Sequence, residues 1–238
     1  MKKSLVMCAL AATSGAAFAQ QSPLLNEFVF NHTGTDTNEF IEIFANPNQD
    51  LSGYRILGIE GDFSATGSPT GFLDNVITPG TANGDGYWYS FLNNILENGS
   101  ITIFLVNGFS GTQGTDLDTN DDGVLDSTPW TSILDSFAIR DGGASDLVYS
   151  SVVLDSTNVG AGFTPGGASR IPNGTDTNSA SDWMVNDFDG AGLPGFGGTP
   201  VVGEAYNTPG AVNQPVPEPA TMAALGIGAL ALLRRRKK

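Results

Sequence analysis

Cationic side chains are nearly absent from the body of this chain. Residues 20 to 217 carry 24 of the 25 acidic residues and only three cations, Arg55, Arg140 and Arg170, an excess of 21 negative charges. The formal net charge of −15 understates this, because the other seven Lys and Arg lie at the two ends. Such a surface repels nucleic acid and anionic lipid, since phosphate binding needs clustered Lys and Arg. It suits divalent cations, or neutral and cationic matrix components. Cysteine is just as scarce. The single one, Cys8, lies in an N-terminal apolar stretch expected to be removed, so the mature protein should have neither disulfide nor thiol chemistry. The one histidine, His32, excludes two-His metal sites and paired-His nuclease chemistry. No G-x-S-x-G elbow accompanies it, and its setting, NHTGT, reads as an exposed turn.

Sustained helical periodicity is also missing. Short apolar stretches at 24–30, 39–45, 54–59, 87–91, 101–106, 135–139 and 147–154 alternate with clusters of Gly, Asn, Asp, Thr and Pro. β-branched and aromatic residues dominate these runs, which predicts strands joined by turns. In EFIEIFA (39–45) both faces are apolar, with Ile41 and Ile43 on one and Phe40 and Phe44 on the other. Such strands belong in the middle of a sandwich or under a covering loop. About 200 residues suffice for one core, so the expected fold is a single all-β antiparallel sandwich over 20–213. The Gly-rich segments 156–169 and 190–203 read as long loops.

The two ends carry addresses. Lys2 and Lys3 precede an apolar stretch ending in Ala17-Phe18-Ala19, a secretory signal peptide over 1–19 with cleavage expected between Ala19 and Gln20. At the other end, 214–238, the tripeptide Pro217-Glu218-Pro219 is followed by an apolar run at 220–233 and five cations. Fourteen helical residues rise about 21 Å, short of the roughly 30 Å hydrocarbon core. A short hydrophobic helix inserting transiently in the inner membrane is expected, with its basic end held in the cytoplasm. Prolines on both sides of Glu218 keep that junction extended and open to a processing enzyme.

These three elements, in this order, resemble the PEP-CTERM sorting signal of Gram-negative bacteria. The resemblance implies cleavage by an exosortase near Pro217, Glu218 and Pro219, and delivery to the cell surface or extracellular matrix. A second resemblance covers the domain. LLNEFVFNHTGTDTNEFIEIFANPNQDLSGYRILGIEG (24–61) is similar to the opening of the lamin tail domain: Asn26-Glu27 in a first strand, Glu39 to Ile43 in a second, Leu51 to Tyr54 turning into a third. TPGAVN (208–213) looks like the closing phrase of bacterial members. The resemblance implies an immunoglobulin-like β-sandwich.

One loop has ligand spacing. In DTNDDGVLD, Asp118, Asn120, Asp122 and Asp126 stand at positions 1, 3, 5 and 9 of a calcium loop, with Gly123 at position 6, the Val124 carbonyl at 7 and Leu125 at the apolar position 8. Pro129 replaces the bidentate Glu of position 12, so Asp116, Asp135 or water would have to complete the shell. The same residue types also build ordinary acidic turns. Trp88, Trp130 and Trp183, with Tyr87 and Tyr89, form either a sugar-stacking platform or part of the core. Together these features lead to the expectation of an exported, non-enzymatic structural, adhesive or carbohydrate-binding protein. Its expected partners are an exosortase, and a matrix polysaccharide or surface protein. The alternative is a secreted hydrolase working through Asp and Glu, or a binding accessory to one.

Overall fold

The computed structural model of the chain describes residues 21–63, 69–160 and 162–218. Ala19, Gln20, Pro219 and the 220–233 segment expected as a helix lie outside the described residues.

Strands form where β-branched and aromatic residues run together between turn formers. In chain order they are β1 (Leu24–Val29), β2 (Glu39–Phe44), β3 (Tyr54–Glu60), β4 (Leu73–Ile77), β5 (Tyr87–Leu92), β6 (Ile101–Asn107), β7 (Ser132–Ile139), β8 (Val153–Leu154), β9 (Gly167–Arg170) and β10 (Trp183–Val185). They make two five-stranded sheets, ordered β10-β9-β1-β2-β5 and β4-β3-β6-β7-β8. The first sheet is antiparallel throughout, and the second is antiparallel except for the parallel β7–β8 pair. Among the described residues the only helical element is a single 3-10 turn, Ala180–Asp182. The all-β, two-sheet expectation is met.

The main core lies between the sheets. Leu25, Phe28, Ile41 and Ile43 of the first sheet meet Ile56, Ile103, Leu105, Phe137 and Ile139 of the second. Phe28 stacks on Phe137 with ring centroids 4.3 Å apart, and full burial of one such side chain is worth roughly 1.5–3 kcal/mol. β2 is apolar on both faces for the reason its sequence suggested. Ile41 and Ile43 point into the core, while Phe40 packs with Val29 beneath Leu193 and Phe196 of the following loop.

Two local expectations are corrected. The run 147–154 becomes a strand only at Val153–Leu154. Its earlier residues are tied down by single bonds, Leu147 N to Gly61 O and Tyr149 N to the Thr102 hydroxyl, in place of a ladder. Conversely, the end of the expected 156–169 loop enters β9, a run of Gly, Ala, Ser and Arg with no apolar alternation. There the close approach of β1 selects small residues: a Cβ on Gly167 would lie 2.6 Å from the Phe28 carbonyl oxygen.

Candidate functional site

The acidic loop follows a short connection from β6 and adopts a tight turn stabilised from within. Asp118 is fully buried. One carboxylate oxygen accepts from Asp122 N at 3.3 Å, and the other accepts from Gly123 N and the Tyr149 hydroxyl, both at 2.9 Å. Burial together with this bond to Asp118 pushes the Tyr149 hydroxyl well above its ordinary range. Asn120 Oδ1 accepts from Asp122 N, Asp122 Oδ1 from Val124 N, and Asp126 Oδ2 from Thr119 N and Oγ1. Gly123 has φ +83°, a left-handed conformation that a side chain would strain. Leu125 packs against the second apolar cluster, around Leu117 and Phe104, as the apolar position of such a loop should. Asp116 lies close and bonds Asp118 N at 3.1 Å. Asp135 does not serve the loop. It sits in β7, where its carboxylate accepts from Leu25 N and from Arg170.

Carboxylates also converge where no sequence spacing announced it. Glu60, Asp74 and Glu97 each bring one oxygen within 4.8 Å of the others, and so do Asp62, Asp141 and Asp146. The first three come from the end of β3, from β4 and from the turn before β6, so only the β4-β3-β6 order assembles them. They line an open depression of about 470 Å³ with Asn75, Asn94 and Gln113. Burial, reinforced by a hydrogen bond and the charge shared with Glu97, pushes Glu60 up to about 9, so it holds a proton at neutral pH. Burial also raises Asp74 and Glu97. In the second group, Ser100 Oγ lies 2.8 Å from Asp146 Oδ2 and 3.2 Å from Asp141 Oδ1, with Ser100 N donating to Asp62. The loop residues Asp118, Asp122 and Asp126 do not form a third such group.

Two further expectations change. His32 is buried, not exposed, at 2 % exposure. Its Nε2 accepts from Asn38 N, its Nδ1 donates to the Thr33 carbonyl, and its ring meets Phe196 edge-on at 4.8 Å. It braces the β1–β2 connection. The aromatic residues do not gather into one platform either. Trp183 belongs to the core, Trp130 packs on Phe104 outside the second sheet, and Trp88 alternates to the face opposite Tyr87 and Tyr89. Tyr89 and Phe91 remain about two-fifths exposed on the edge strand β5.

The closing phrase TPGAVN is bonded to the residues that open the domain. Glu27 accepts from Thr208 N at 2.9 Å and Thr208 Oγ1 at 3.0 Å, and Glu42 accepts from Gly210 N at 2.6 Å. Asn213 Nδ2 donates to the carbonyls of Asn26 and Arg170. Gly210 has φ +82°, and a Cβ there would lie 2.6 Å from the Tyr89 ring. The stitch continues through an Ala205–Pro215 bridge and ends at Val216, whose N–H donates to the Glu204 carbonyl at 2.8 Å. Val216 is buried, whereas Pro217 and Glu218 are exposed.

Comparison with known families places the PEP-CTERM protein-sorting motif at residues 215–237. Neither the curated proteins nor the solved structures contain a match to the chain. The motif implies an exported protein, anchored transiently in a membrane and processed by an exosortase before display at the cell surface. It begins where the folded body makes its last contacts.

Proposed function

We propose that this chain is a non-enzymatic structural or adhesive element of the cell surface or extracellular matrix of a Gram-negative bacterium, built on a lamin tail-like, immunoglobulin-like sandwich. The observation that carries the reading is the junction at Val216. The sorting motif joins the β-body without a linker, so cleavage after the exposed Pro217 and Glu218 would release the folded domain whole. The bonding of Asn26, Glu27 and Glu42 to the closing phrase supports the lamin tail resemblance, because those positions carry it at both ends of the domain.

Fractionation of the producing cells tests the reading. The full chain should appear at the surface or in the matrix without peptides from 234–238, and a chain stopped after Val216 should accumulate elsewhere. Recovery of the intact tail from the extracellular fraction would refute sorting by cleavage. The stopped chain should also melt within about 2 °C of the processed protein, because no bond of the body involves a residue beyond Val216 among those described. A chain stopped after Asn207 loses the bonds from Thr208 to Glu27 and from Gly210 to Glu42, and should melt far lower.

Calcium at the acidic loop belongs to the same proposal. Saturating calcium should stabilise the protein by about 2.7 kcal/mol at a hundredfold excess over the dissociation constant. Asp122→Ala should remove that increment with little change in chelator, since its side chain bonds only within the loop. Asp118→Ala should also lower the melting temperature in chelator, because Gly123 N and the Tyr149 hydroxyl lose their acceptor. Asp85→Asn, exposed and distant in sequence, is the control. Equal calcium responses from all of these variants would leave the loop an acidic turn.

A second reading, a secreted hydrolase, draws on the protonated Glu60 beside Asp74 and Glu97. Each brings an oxygen within 4.8 Å of the others, so carboxyl groups meet in one depression, as glycoside hydrolysis needs. Turnover of aryl glycosides or aryl phosphates by the purified protein, lost in Glu97→Gln, would establish that reading over the first.

A further inference from the structure

β5 is an outer strand of the first sheet, paired with β2 alone. The alternation of that antiparallel pairing fixes where its backbone groups point. Ala45 N donates to the Gly86 carbonyl, so Trp88, Ser90 and Leu92, at even steps from Gly86, turn their backbone toward β2. Tyr87, Tyr89 and Phe91 turn theirs outward. The turn at Asn83 takes both groups of Tyr87, whose carbonyl accepts from Asn83 N and whose N–H donates to Asn83 Oδ1. Tyr89 and Phe91 have no backbone partner among the described residues, apart from the Ser90 hydroxyl 3.4 Å from the Phe91 carbonyl. Their donors and acceptors stand in a row at the sheet edge, on residues 40 % and 41 % exposed.

Sheets ordinarily guard such an edge by shortness, charge, proline, a bulge or a covering segment. The other edge strands here are guarded. β8 has two residues and β10 three, with Ala205 bridging Asn186 just beyond β10. β4 carries Asp74, and its Leu73 bonds Thr115 and Gly114. β5 has none of these devices. No charged residue or proline occurs from Gly86 to Leu96, and the β2–β5 register runs without a bulge. The carboxylates of β2 beside it, Glu39 and Glu42, are buried and accept from Leu96 N and Gly210 N.

Charge decides the occupant. An edge that takes a basic partner presents carboxylates, yet in this strongly acidic body β5 presents only aromatic rings, a hydroxyl and amides. A neutral aromatic strand complements it, and β5 is itself such a strand. Its pattern is also self-complementary. Laid antiparallel to its own copy about a two-fold axis through Ser90, Tyr89 of each chain faces Phe91 of the other, and every outward donor and acceptor is used. Ser90 then meets its own copy in the closely spaced non-bonded pair, where a small side chain fits. The rings of Tyr89 and Phe91, edge-to-face at 5.6 Å, share one face and continue across the joint. The same arrangement sets the exposed Asp85 of the two copies at opposite ends. We propose that β5 is a self-association edge, at which two copies of this chain pair Tyr89 with Phe91 and join their first sheets into one. The inference rests on the structural-element reading above and names its partner, a second copy of the chain.

The test is sedimentation of the protein purified from its producing host. One strand pair is a small interface, so the protein is followed from about 0.01 to 1 mM, where weak association shows. A monomer–dimer equilibrium should appear. Raising sodium chloride from about 50 to 500 mM should favour the dimer, because salt screens the repulsion between two anionic bodies. Ser90→Asp sets like charges face to face at the axis and should weaken the dimer at least tenfold. Mixing Ser90→Asp with Ser90→Lys should restore pairing between the two variants, since position 90 meets only itself. Melting temperatures report whether each variant is folded. The parent protein supplies a measurement that needs no variant: the Tyr89 and Phe91 amides should exchange with deuterium more slowly as concentration rises. Four results overturn the proposal: a monomer throughout the range, a dimer that salt weakens, a folded Ser90→Asp that dimerises like the parent, or a dimer in which neither amide gains protection. A monomer whose Tyr89 and Phe91 amides are protected instead by a lysine-rich peptide would assign the edge to a cationic partner. None of these bears on where the protein is delivered. Failure of the fractionation experiment with intact dimerisation would instead overturn the surface reading and leave the pairing standing.

Discussion

Arg170→Met should lower the melting temperature by roughly 10 °C, the largest single-residue effect expected in this molecule. The side chain is 1 % exposed and all of its nitrogens are engaged. Nε donates to the Leu25 carbonyl at 2.8 Å, Nη1 to the Thr175 carbonyl at 2.7 Å, and Nη2 to both oxygens of Asp135 at 3.0 Å. Asp176 and Asp182 complete the ring of charge at 3.2 and 3.4 Å. Burial pushes Asp135 up to about 6 even against the pull of Arg170. Removing the cation leaves this carboxylate buried beside two others, and breaking such a pair costs about 3–5 kcal/mol. For a domain of this size each kcal/mol is worth about 2–4 °C. Asp135→Asn placed on top of Arg170→Met should recover part of the loss, because the stranded charge is then gone. A single variant that melts within 2 °C of the parent would show that water or a counterion already reaches this network.

The second large effect is an inverted pH dependence. Burial pushes Glu27 and Glu39 up to about 7 and Glu60 to about 9, and burial with the charge of Glu27 also holds Glu42 well above the ordinary carboxyl range. Each of these groups is protonated in the folded chain at pH values where the unfolded chain has already lost the proton. Folding therefore takes up protons, and stability falls as pH rises from about 4.5 toward 7, continuing toward 9 through Glu60. Glu27 alone, wholly buried, accounts for about 3 kcal/mol of this change. At the acid end the sign reverses. Asp141 is held low by its hydrogen bond with Asp146. Asp182 is also low, because bonds from Thr177 and Ser179 and the charge of Arg170 outweigh its burial. Their contribution is lost below about pH 4. The melting temperature should thus peak near pH 5 and stand roughly 6–12 °C lower at pH 8.

Glu39→Gln provides a clean check on that slope. Glu39 Oε2 accepts from Ile95 N and Leu96 N, while Oε1 is buried without a partner. The amide preserves the two acceptor bonds and removes the titration, so the slope between pH 5 and 7 should flatten. Glu60→Gln should flatten the part between pH 7 and 9. A parent protein more stable at pH 8 than at pH 5 would contradict the argument.

Much of the scaffold was legible because it is local. The strands at 39–44, 54–60 and 101–107 announce themselves through dense apolar, β-branched runs, and burial on both faces of β2 follows from Phe40, Ile41 and Ile43 in one stretch. β9 gave no such signal. Its Gly167 is required because Phe28 and Val29 of β1 approach closely, a requirement set by neighbours in space. His32 misled for a similar reason. A turn sequence with Thr and Gly reads as exposed, yet Phe196, more than 160 residues later, closes over the ring.

The sequence by itself determined the address, the all-β class and the spacing of the acidic loop. Each depends on residues a few positions apart, or on composition, and both act before the chain has a tertiary structure. Only the folded arrangement decided which carboxylates meet, that Arg170 is the buried counterion of Asp135, and that the closing phrase bonds Glu27 and Glu42. Those pairings join residues from 5 to 181 positions apart. They exist because sheet order, which no local pattern encodes, brings distant strands and loops together, and because burial then changes the energy of every polar group it encloses.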